Sequence, residues 1–551
     1  MAPRLLAIML AVLLVVIVVM LARLQCLGWD GSTNADGVSY LDLASRYAAG
    51  DWRAIGNGYW SPLYPMLLGA AERIARTLRG SSYPEMGIVF AVNVVLFAIV
   101  ALAFARLAAI LLAPISSSAS LPLLYCRLAA AGALCIWALI RLVGATTITP
   151  DGLLGALLFL VAAELVSAAN RSDSAWRDLR FGGLLALGYW TKAVFFPVAI
   201  VAAAVYVVVT KRSARWRVGP RLVATMVLLS APLIVAQSRA QGRPSFGETG
   251  RLNYRWYVGG VARAIPIAES VHATRQRRTA AVVALASAPG AMLFTGGVHG
   301  SFPYWYDPSR YEPADVGALS VAAQWRALTF NAHWLRATAG ILFGMAAIAL
   351  LAAAPHGRSR WTRLVAAIPA VTMLGLYLLT HPEGRMGAAS LASVLLAMIT
   401  LFDVGHPTRR RPLIALECAA LALLAVFAIG HASSRLPRAP TAALAEATSL
   451  SLSLSLSRSI RAAGLTAGDR VAIVGDPFGL RWAHETGTLI VAVIPLRPDV
   501  PLTGETFAAV ARESAARGVP LSAIVYPAAA NVRIARAVRA GPSWWIWNAR
   551  P

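Results

Sequence analysis

The sequence predicts a mainly α, polytopic membrane protein carrying a small C-terminal α/β domain. Three observations carry that prediction: 58% hydrophobic against 14% charged residues, a succession of apolar runs of membrane-spanning length, and a change of composition after residue 432. A soluble domain carries about 25% charged residues, so most of this chain has lipid as its solvent. The 50 Lys and Arg outnumber the 25 Asp and Glu, but they fall in short clusters between apolar runs. That is the distribution of cytoplasmic loops under the positive-inside rule, and without a basic, aromatic surface it excludes nucleic acid as a partner. The excess of Arg and Ala is that of a GC-rich bacterial genome. Cys26, Cys126, Cys135 and Cys418 lie in or beside apolar runs and form neither a disulfide framework nor a zinc-site spacing.

The first element opens with Arg4 and the apolar run Leu5 to Leu24. The run is long for a secretory signal, and Leu24-Gln25 before Cys26 lacks the small residues of a lipoprotein cleavage site, so it is read as a retained anchor helix. A bilayer core of ~30 Å needs about 20 apolar residues per helix. The segments 5–27, 87–112, 125–143, 152–169, 221–238, 334–354, 364–380, 387–404 and 413–432 meet this. Segment 181–210 has Arg171, Arg177 and Arg180 before it and Lys211, Arg212, Arg215 and Arg217 after it. If both flanks are cytoplasmic the chain crosses twice between them, as two short helices turning near Tyr189–Lys192. The total is then eleven helices, with a cytoplasmic N-terminus and cytoplasmic loops 113–124, 170–180, 211–220, 355–363 and 405–412. A single tilted helix there would reverse everything downstream. The membrane domain thus covers 1–432, with outer-face loops 28–86 and 239–333, and a soluble periplasmic domain covers 433–551.

Within the outer loops, 38–50 and 62–79 have apolar residues at helical spacing and read as helices lying on the membrane. Tyr59-Trp60 and Tyr304-Trp305-Tyr306 read as membrane-interface aromatics. After 433, the Ser-Leu alternation at 449–457 is low-complexity; alternation favours a strand, and its Ala-rich setting favours a helix. Strands are expected at 470–475, 488–494 and 521–526, with helices near 504–517 and 528–539, which describes a partly parallel sheet. The turn Gly475-Asp476-Pro477-Phe478-Gly479 has neither a dinucleotide-binding glycine pattern nor a Walker lysine and reads as a strand-to-loop turn.

The first outer loop holds the most chemistry: Asp30, Asp36 and Tyr40, then Pro62-Leu63-Tyr64-Pro65. An acid just after the first membrane helix sits at the lipid–water boundary, partly stripped of water, where it serves as a general base or simply caps a helix. The sequence also offers Thr149-Pro150-Asp151-Gly152, Tyr189-Trp190-Thr191-Lys192 and His381-Pro382-Glu383-Gly384-Arg385. In that order and sidedness these stretches resemble the GT-C glycosyltransferases, in the branch containing protein O-mannosyltransferases and the lipid A aminoarabinose transferase. The resemblance covers about residues 5–430 and departs from the family at Met386, where a Tyr often follows the Arg. It implies transfer of a sugar from a polyprenyl-phosphate donor to a protein, lipid or polysaccharide acceptor at the outer face of the bacterial inner membrane. It also implies that Asp36 is the catalytic base, with Asp30 its rival because family loops differ in length.

The residue types suit that chemistry. A polyprenyl phosphate departs without protonation, so the second carboxylic acid of a glycosidase is unnecessary. What is required is positive charge against the phosphate, from Lys192 and Arg385, and a base for the attacking hydroxyl. A lysine inside 181–210 is costly without a partner and is a functional candidate, its alternative being snorkelling to the interface. Asp151 either positions the acceptor or a divalent ion, or caps its helix. Asp30, Tyr40, Tyr64, Glu383 and, from the third outer loop, Arg251 and Tyr254 complete the expected substrate-binding set. That loop is suited to stacking on a sugar or to resting on the membrane. His381 and Glu383 are too few for a metal site, so no cofactor is expected to be required, a divalent ion being the one open possibility. The alternative function is a transporter or flippase, disfavoured because no repeated halves are visible and the candidate residues gather at one face.

Overall fold

A computed structural model describes residues 2–549 apart from 80–83, 117–120, 170–173, 211–214, 262, 264–279, 298, 318, 353–359, 402–410, 438–456, 498–501, 531, 533 and 541–543. The basic residues Arg171, Lys211, Arg212, Arg358, Arg409 and Arg410 and the Ser-Leu run at 449–456 lie outside the described residues. Among the described residues, seven helices are long and apolar enough to cross a membrane. They are α1 (Ala2–Leu27), α4 (Glu85–Ser116), α5 (Leu121–Ile136, continued by Trp137–Val143), α6 (Asp151–Ala169), α9 (Arg215–Gln241), α12 (Val321–Ala352) and α15 (Arg411–Ser433). Four shorter ones, α7 (Ala175–Thr191), α8 (Phe195–Val209), α13 (Arg360–Leu379) and α14 (Gly384–Thr400), complete an eleven-helix bundle. The segment 181–210 is indeed split. The helix α7 stops at Lys192, whose backbone is extended, and α8 starts three residues later.

The bundle buries small and aliphatic side chains from neighbouring helices while Val95, Ile99, Leu102, Val227 and Leu228 remain exposed on its outside. That is the inverse of a soluble bundle, and it is what lipid as solvent requires. Charges inside it are paired. Arg127 and Glu417 join α5 to α15 at 2.6 Å with both side chains buried, and Glu164 of α6 is held between Arg106 of α4 and Arg180 of α7. Trp176, Trp216 and Trp361 stand exposed at the starts of α7, α9 and α13, an aromatic belt at the end of the bundle opposite the outer loops.

The outer loops are ordered by α2 (Ala35–Ala48), α3 (Leu63–Arg79), α10 (Thr249–Tyr257) and the short α11 (Pro303–Tyr306). The aromatics expected at the membrane interface are instead internal: Tyr59, Trp60, Tyr304, Trp305 and Tyr306 are all buried. Trp60 packs edge-on against Tyr40, Tyr59 and Trp305, and its indole nitrogen donates to the Trp305 carbonyl at 2.8 Å. These loops are too polar to fold on a bilayer alone, and the rings give them a core of their own.

The C-terminal region contributes a helix at 457–462 (α16), then α17 (Arg481–Thr486) and α18 (Gly504–Ala516). Its strands are β3 (Arg470–Val474), β4 (Leu489–Ile494), β5 (Ala523–Pro527), β6 (Ala537–Ala540) and β7 (Trp544–Asn548). Two further strands, β1 (Val282–Ala284) and β2 (Met292–Phe294), come from the third outer loop and add to the same seven-stranded sheet, in the order β1-β2-β4-β3-β5-β7-β6. Strand β3 runs parallel to β4 and β5, and the remaining pairs are antiparallel. The helix expected over 528–539 is not formed. That stretch holds a 3-10 turn at Ala528–Ala530 and then β6, because pairing with the Trp-rich β7 outweighs the helical propensity of its Ala and Arg residues. One buried cluster runs from Trp29, Tyr40 and Tyr64 through Phe294 and Trp305 to Ile473 and Trp482, so outer loops and sheet share a core.

Candidate functional site

The site stands where the bundle meets the outer loops, and each of its charged side chains comes from an interruption in a helix. Asn34 precedes α2 with an extended backbone; its side chain donates to the Ile148 carbonyl at 3.2 Å and accepts from the Ile148 amide at 3.1 Å. Asp36 thereby enters the first turn of α2 facing the 144–150 turn. That turn exists because the last two turns of the fifth helix are a π-helix ending at Gly144, with φ +80°, a conformation glycine adopts without strain. Pro150 then opens α6 and presents Asp151 at its first position. Lys192 projects from the α7–α8 turn, and Arg385 from the first turn of α14 after Pro382 and Glu383.

These residues meet. The Arg385 guanidinium donates to Asp36, to Glu383 at 2.8 Å and to the Thr149 hydroxyl at 3.3 Å, with Asp151 at 3.9 Å. The Thr149 hydroxyl donates to Asp151 at 2.6 Å, and Lys192 donates to the other Asp151 oxygen at 2.7 Å. The ammonium also lies 5.6 Å from the centre of the Tyr377 ring. The result is an alternating chain, Asp36–Arg385–Asp151–Lys192, with Glu383 as a side branch. Its depth is graded: the side chain of Asp151 is 1% exposed, those of Arg385 and Lys192 about 15%, that of Asp36 17% and that of Glu383 38%. Three carboxylates face two cations, so the cluster carries one excess negative charge. A small cavity of about 10 Å³, room for one water, lies beside Asp151 and is lined by Val143, Gly152, Gly155 and Ala389.

Other candidates fall around this cluster. Tyr40 is buried, edge-on to Trp60 and Tyr64, and burial pushes its hydroxyl well above the usual range, so it is a neutral donor. Tyr64 donates to Asn93 at 2.9 Å, and Asn93 donates to the carbonyls of Ala145 and Thr147, so Tyr64 supports the turn that presents Asp151. Asp30 is exposed and turned away, accepting from the amide and hydroxyl of Ser32, which hold its carboxyl below the ordinary value. Arg251 donates to the buried Glu248 at 2.5 Å and to the Pro313 carbonyl, and so braces the third outer loop. Tyr254 is half-buried on the same helix, α10, whereas Tyr257, one turn on, stacks on the His381 ring at 4.0 Å, two residues from Glu383. The His381 ring is thus an aromatic brace, and Glu383 an ion-pair partner.

Sequence reasoning missed Tyr377 and Arg263. Arg263 donates to the Tyr257 hydroxyl at 2.6 Å and lies over the Trp256 and Trp305 rings at 4.9 and 5.1 Å. An arginine beside an aromatic-rich helix is the one signal that pointed there.

No protein-family model matches the sequence, and no curated protein matches it. Crystal structures of ArnT from Cupriavidus metallidurans, in the apo state and bound to undecaprenyl phosphate, are similar with a TM-score of 0.49 each. Identity is 14% and 13%, over 97% of this chain and 97% of theirs.

Proposed function

We propose that this chain transfers a sugar from a polyprenyl-phosphate donor to an acceptor hydroxyl at the outer face of the membrane, with Asp36 as the base. The supporting observation is the convergence of Asp36, Asp151, Lys192 and Arg385, which come from four separate stretches, into one ion-pair chain at the bundle's mouth. The reading rests on those residues rather than on the likeness to solved structures.

The donor phosphate lies against Lys192 and Arg385, which exchange part of their carboxylate contacts for phosphate oxygens. The acceptor oxygen attacks the anomeric carbon, its proton passes to Asp36, and the carbon–oxygen bond to phosphate breaks, the electron pair leaving with the polyprenyl phosphate. One displacement inverts the anomeric centre. Arg385, fixed by Glu383 and Thr149, orients the Asp36 carboxylate, and Asp151 holds Lys192 charged in an apolar setting. No metal is required in this scheme.

In the bacterial inner membrane, the basic loops and the Trp176, Trp216 and Trp361 belt belong on the cytoplasmic side, which puts the site and the C-terminal domain in the periplasm. A transporter would place its charged residues near the membrane midplane, whereas these lie at one end of the bundle. The test is transfer from a panel of radiolabelled polyprenyl-phosphate sugars by purified protein, wild type beside Asp36→Asn. Label moved by wild type and lost in the variant is the expected result. Equal transfer by both would overturn the role of Asp36, and no transfer from any donor, with lipid movement across proteoliposomes, would overturn the class.

A further inference from the structure

The helix that carries Asp36 is gripped from a second side, by the C-terminal domain. Asp42 lies six residues after Asp36 on α2, about 9 Å further along the axis and on a different face. One Asp42 oxygen accepts from the amide and hydroxyl of Ser301 at 2.7 and 2.8 Å. The other is 2.6 Å from Nδ1 of His484, which lies on α17 of the C-terminal domain. The opposite ring nitrogen, Nε2, is 2.7 Å from Glu85 at the start of α4. Both ring nitrogens face carboxylate oxygens, and ionised carboxylates accept only, so the ring satisfies both when it is the doubly protonated imidazolium. The His484 side chain is 9% exposed. The other charged groups around it are Glu72 and Arg76 on α3, and Arg481 and Glu485 on its own helix. Arg481 pairs with Glu485 at 2.6 Å and covers the Trp29 ring at 4.9 Å, so the same short helix also clamps the start of the first outer loop.

We infer that His484 is a positioning residue: its imidazolium, held between Asp42 and Glu85, locks the C-terminal domain to α2 and so holds Asp36 in register with Arg385. This rests on the reading of Asp36 as base only for its effect on turnover; the effect on α2 is independent of it. The helix α2 has three anchors. Its first turn is held by Arg385 and the 144–150 turn, its last turn by Arg46 to Asp51 and Tyr306, and its middle by His484 and Ser301. Without His484 the middle of α2 keeps Ser301 on Asp42 and the Ser39 hydroxyl on the Trp305 carbonyl but loses its tie to α17 and α4, and even a small rotation moves a carboxylate whose role depends on sub-ångström placement. The C-terminal domain is then part of the transfer site and not an appendage.

The test uses the full-length protein in detergent or nanodiscs, with His484→Gln, Glu85→Gln and, as a control elsewhere in the same domain, Glu505→Gln, which is exposed on α18. Hydrogen exchange of peptides covering 35–48 should rise at least tenfold in His484→Gln, with membrane-helix peptides and Glu505→Gln unchanged. In the transfer assay, kcat of His484→Gln should fall tenfold or more with the donor KM within twofold. In Glu85→Gln the ring keeps one carboxylate, so activity relative to wild type should be near normal at pH 6 and drop at least fivefold by pH 8, a change that a packing role would not produce. Unchanged exchange over 35–48 in His484→Gln overturns the lock. Raised exchange with wild-type kcat overturns the positioning role. Raised exchange with no transfer by the wild type itself keeps the lock and removes the transfer reading.

Discussion

Replacing Asp36 by Asn separates two consequences that a structural role would join. The Asn oxygen still accepts from Arg385, and Glu383 and Thr149 still hold that guanidinium, so the fold and expression should survive. On the proposed reading the base is lost, and general-base catalysis is worth about 10²–10⁴ in rate, or roughly 3–5 kcal/mol. The charge of the site changes as well. Asp36, Asp151 and Glu383 against Lys192 and Arg385 give a net −1, and the substitution brings it to zero. Removing an anion about 5 Å from a phosphate is worth roughly 3 kcal/mol at an effective dielectric of 20. Arg385, still held by Glu383, Thr149 and the Asn oxygen, screens most of this and leaves about 1 kcal/mol, or about fivefold tighter donor binding. The assay is donor Kd by fluorescence titration beside single-turnover transfer. Turnover should fall by about 10²–10⁴ while Kd falls about fivefold. Donor binding that weakens in step with turnover would refute the reasoning and make Asp36 a structural partner of Arg385.

Lys192→Ala leaves Asp151 buried without its closest cation, and breaking such a pair costs about 3–5 kcal/mol; thermal unfolding should show the loss, and donor binding should disappear. Gly188→Ala puts a methyl group into the Phe195 ring where α7 and α8 turn past each other. Overpacking of this kind costs about 1–3 kcal/mol, and because the turn carries Lys192, a retained wild-type melting point with wild-type donor affinity would contradict the packing described. Stability should fall with rising pH in two windows. Burial raises Glu72 from 4.5 to about 7, and neighbouring Glu85 and Asp42 hold His484 well above 6.5. In both, the proton is favoured by the folded state, so the contribution is full below the unfolded value and lost as pH rises through the folded one. Glu72→Gln should flatten the melting curve between pH 4.5 and 7, and His484→Gln above 6.5. Spent carrier, a phosphate monoester with a second pKa near 6, should bind more weakly at pH 7.5 than at 5.5 by direct titration, while the diester donor binds alike at both; tighter binding of the dianion would count against the charge assignment.

Much of the bundle was legible in the sequence because membrane helices are dictated locally. Apolar length marks each span, and the basic residues on both sides of 181–210 require an even number of crossings there. Strands β3, β4 and β5 were legible because parallel, buried strands are continuous β-branched runs. What escaped depends on partners distant in sequence. Hairpin β1–β2 joins a strand some 200 residues later through Met292 and Val493, and β6 forms on β7 against its own helical propensity. Tyr59 and Trp305 look like interfacial aromatics by type, and only the packing of two outer loops on each other makes them core. Of the charged cluster, Lys192 stood out as a charge inside an apolar run, whereas Asp36, Asp151 and Arg385 were picked out by the resemblance of their motifs to a known family. His484 was not, since a single histidine on a short amphipathic helix has many uses until Asp42 and Glu85 are brought to its two nitrogens.

Under the proposed mechanism, the charge arithmetic of the site gives the transfer a direction. A phosphodiester donor is a monoanion, so with the donor bound the five side chains and ligand sum to −2. As the acceptor proton passes to Asp36 and the phosphate leaves as a dianion, one negative charge moves from the protein to the ligand and the total is unchanged, so the step itself moves no net charge into an apolar setting. The cost arises afterwards. When Asp36 returns its proton to water the total becomes −3, and the spent carrier is repelled by Asp36 through Arg385 and by Asp151 through Lys192. A site with cations alone would hold the dianion more tightly than the donor and stall on its product. Pairing each cation with a carboxylate weakens donor binding somewhat and in return makes release of the carrier downhill, which is the requirement on an enzyme that must free its lipid for another round.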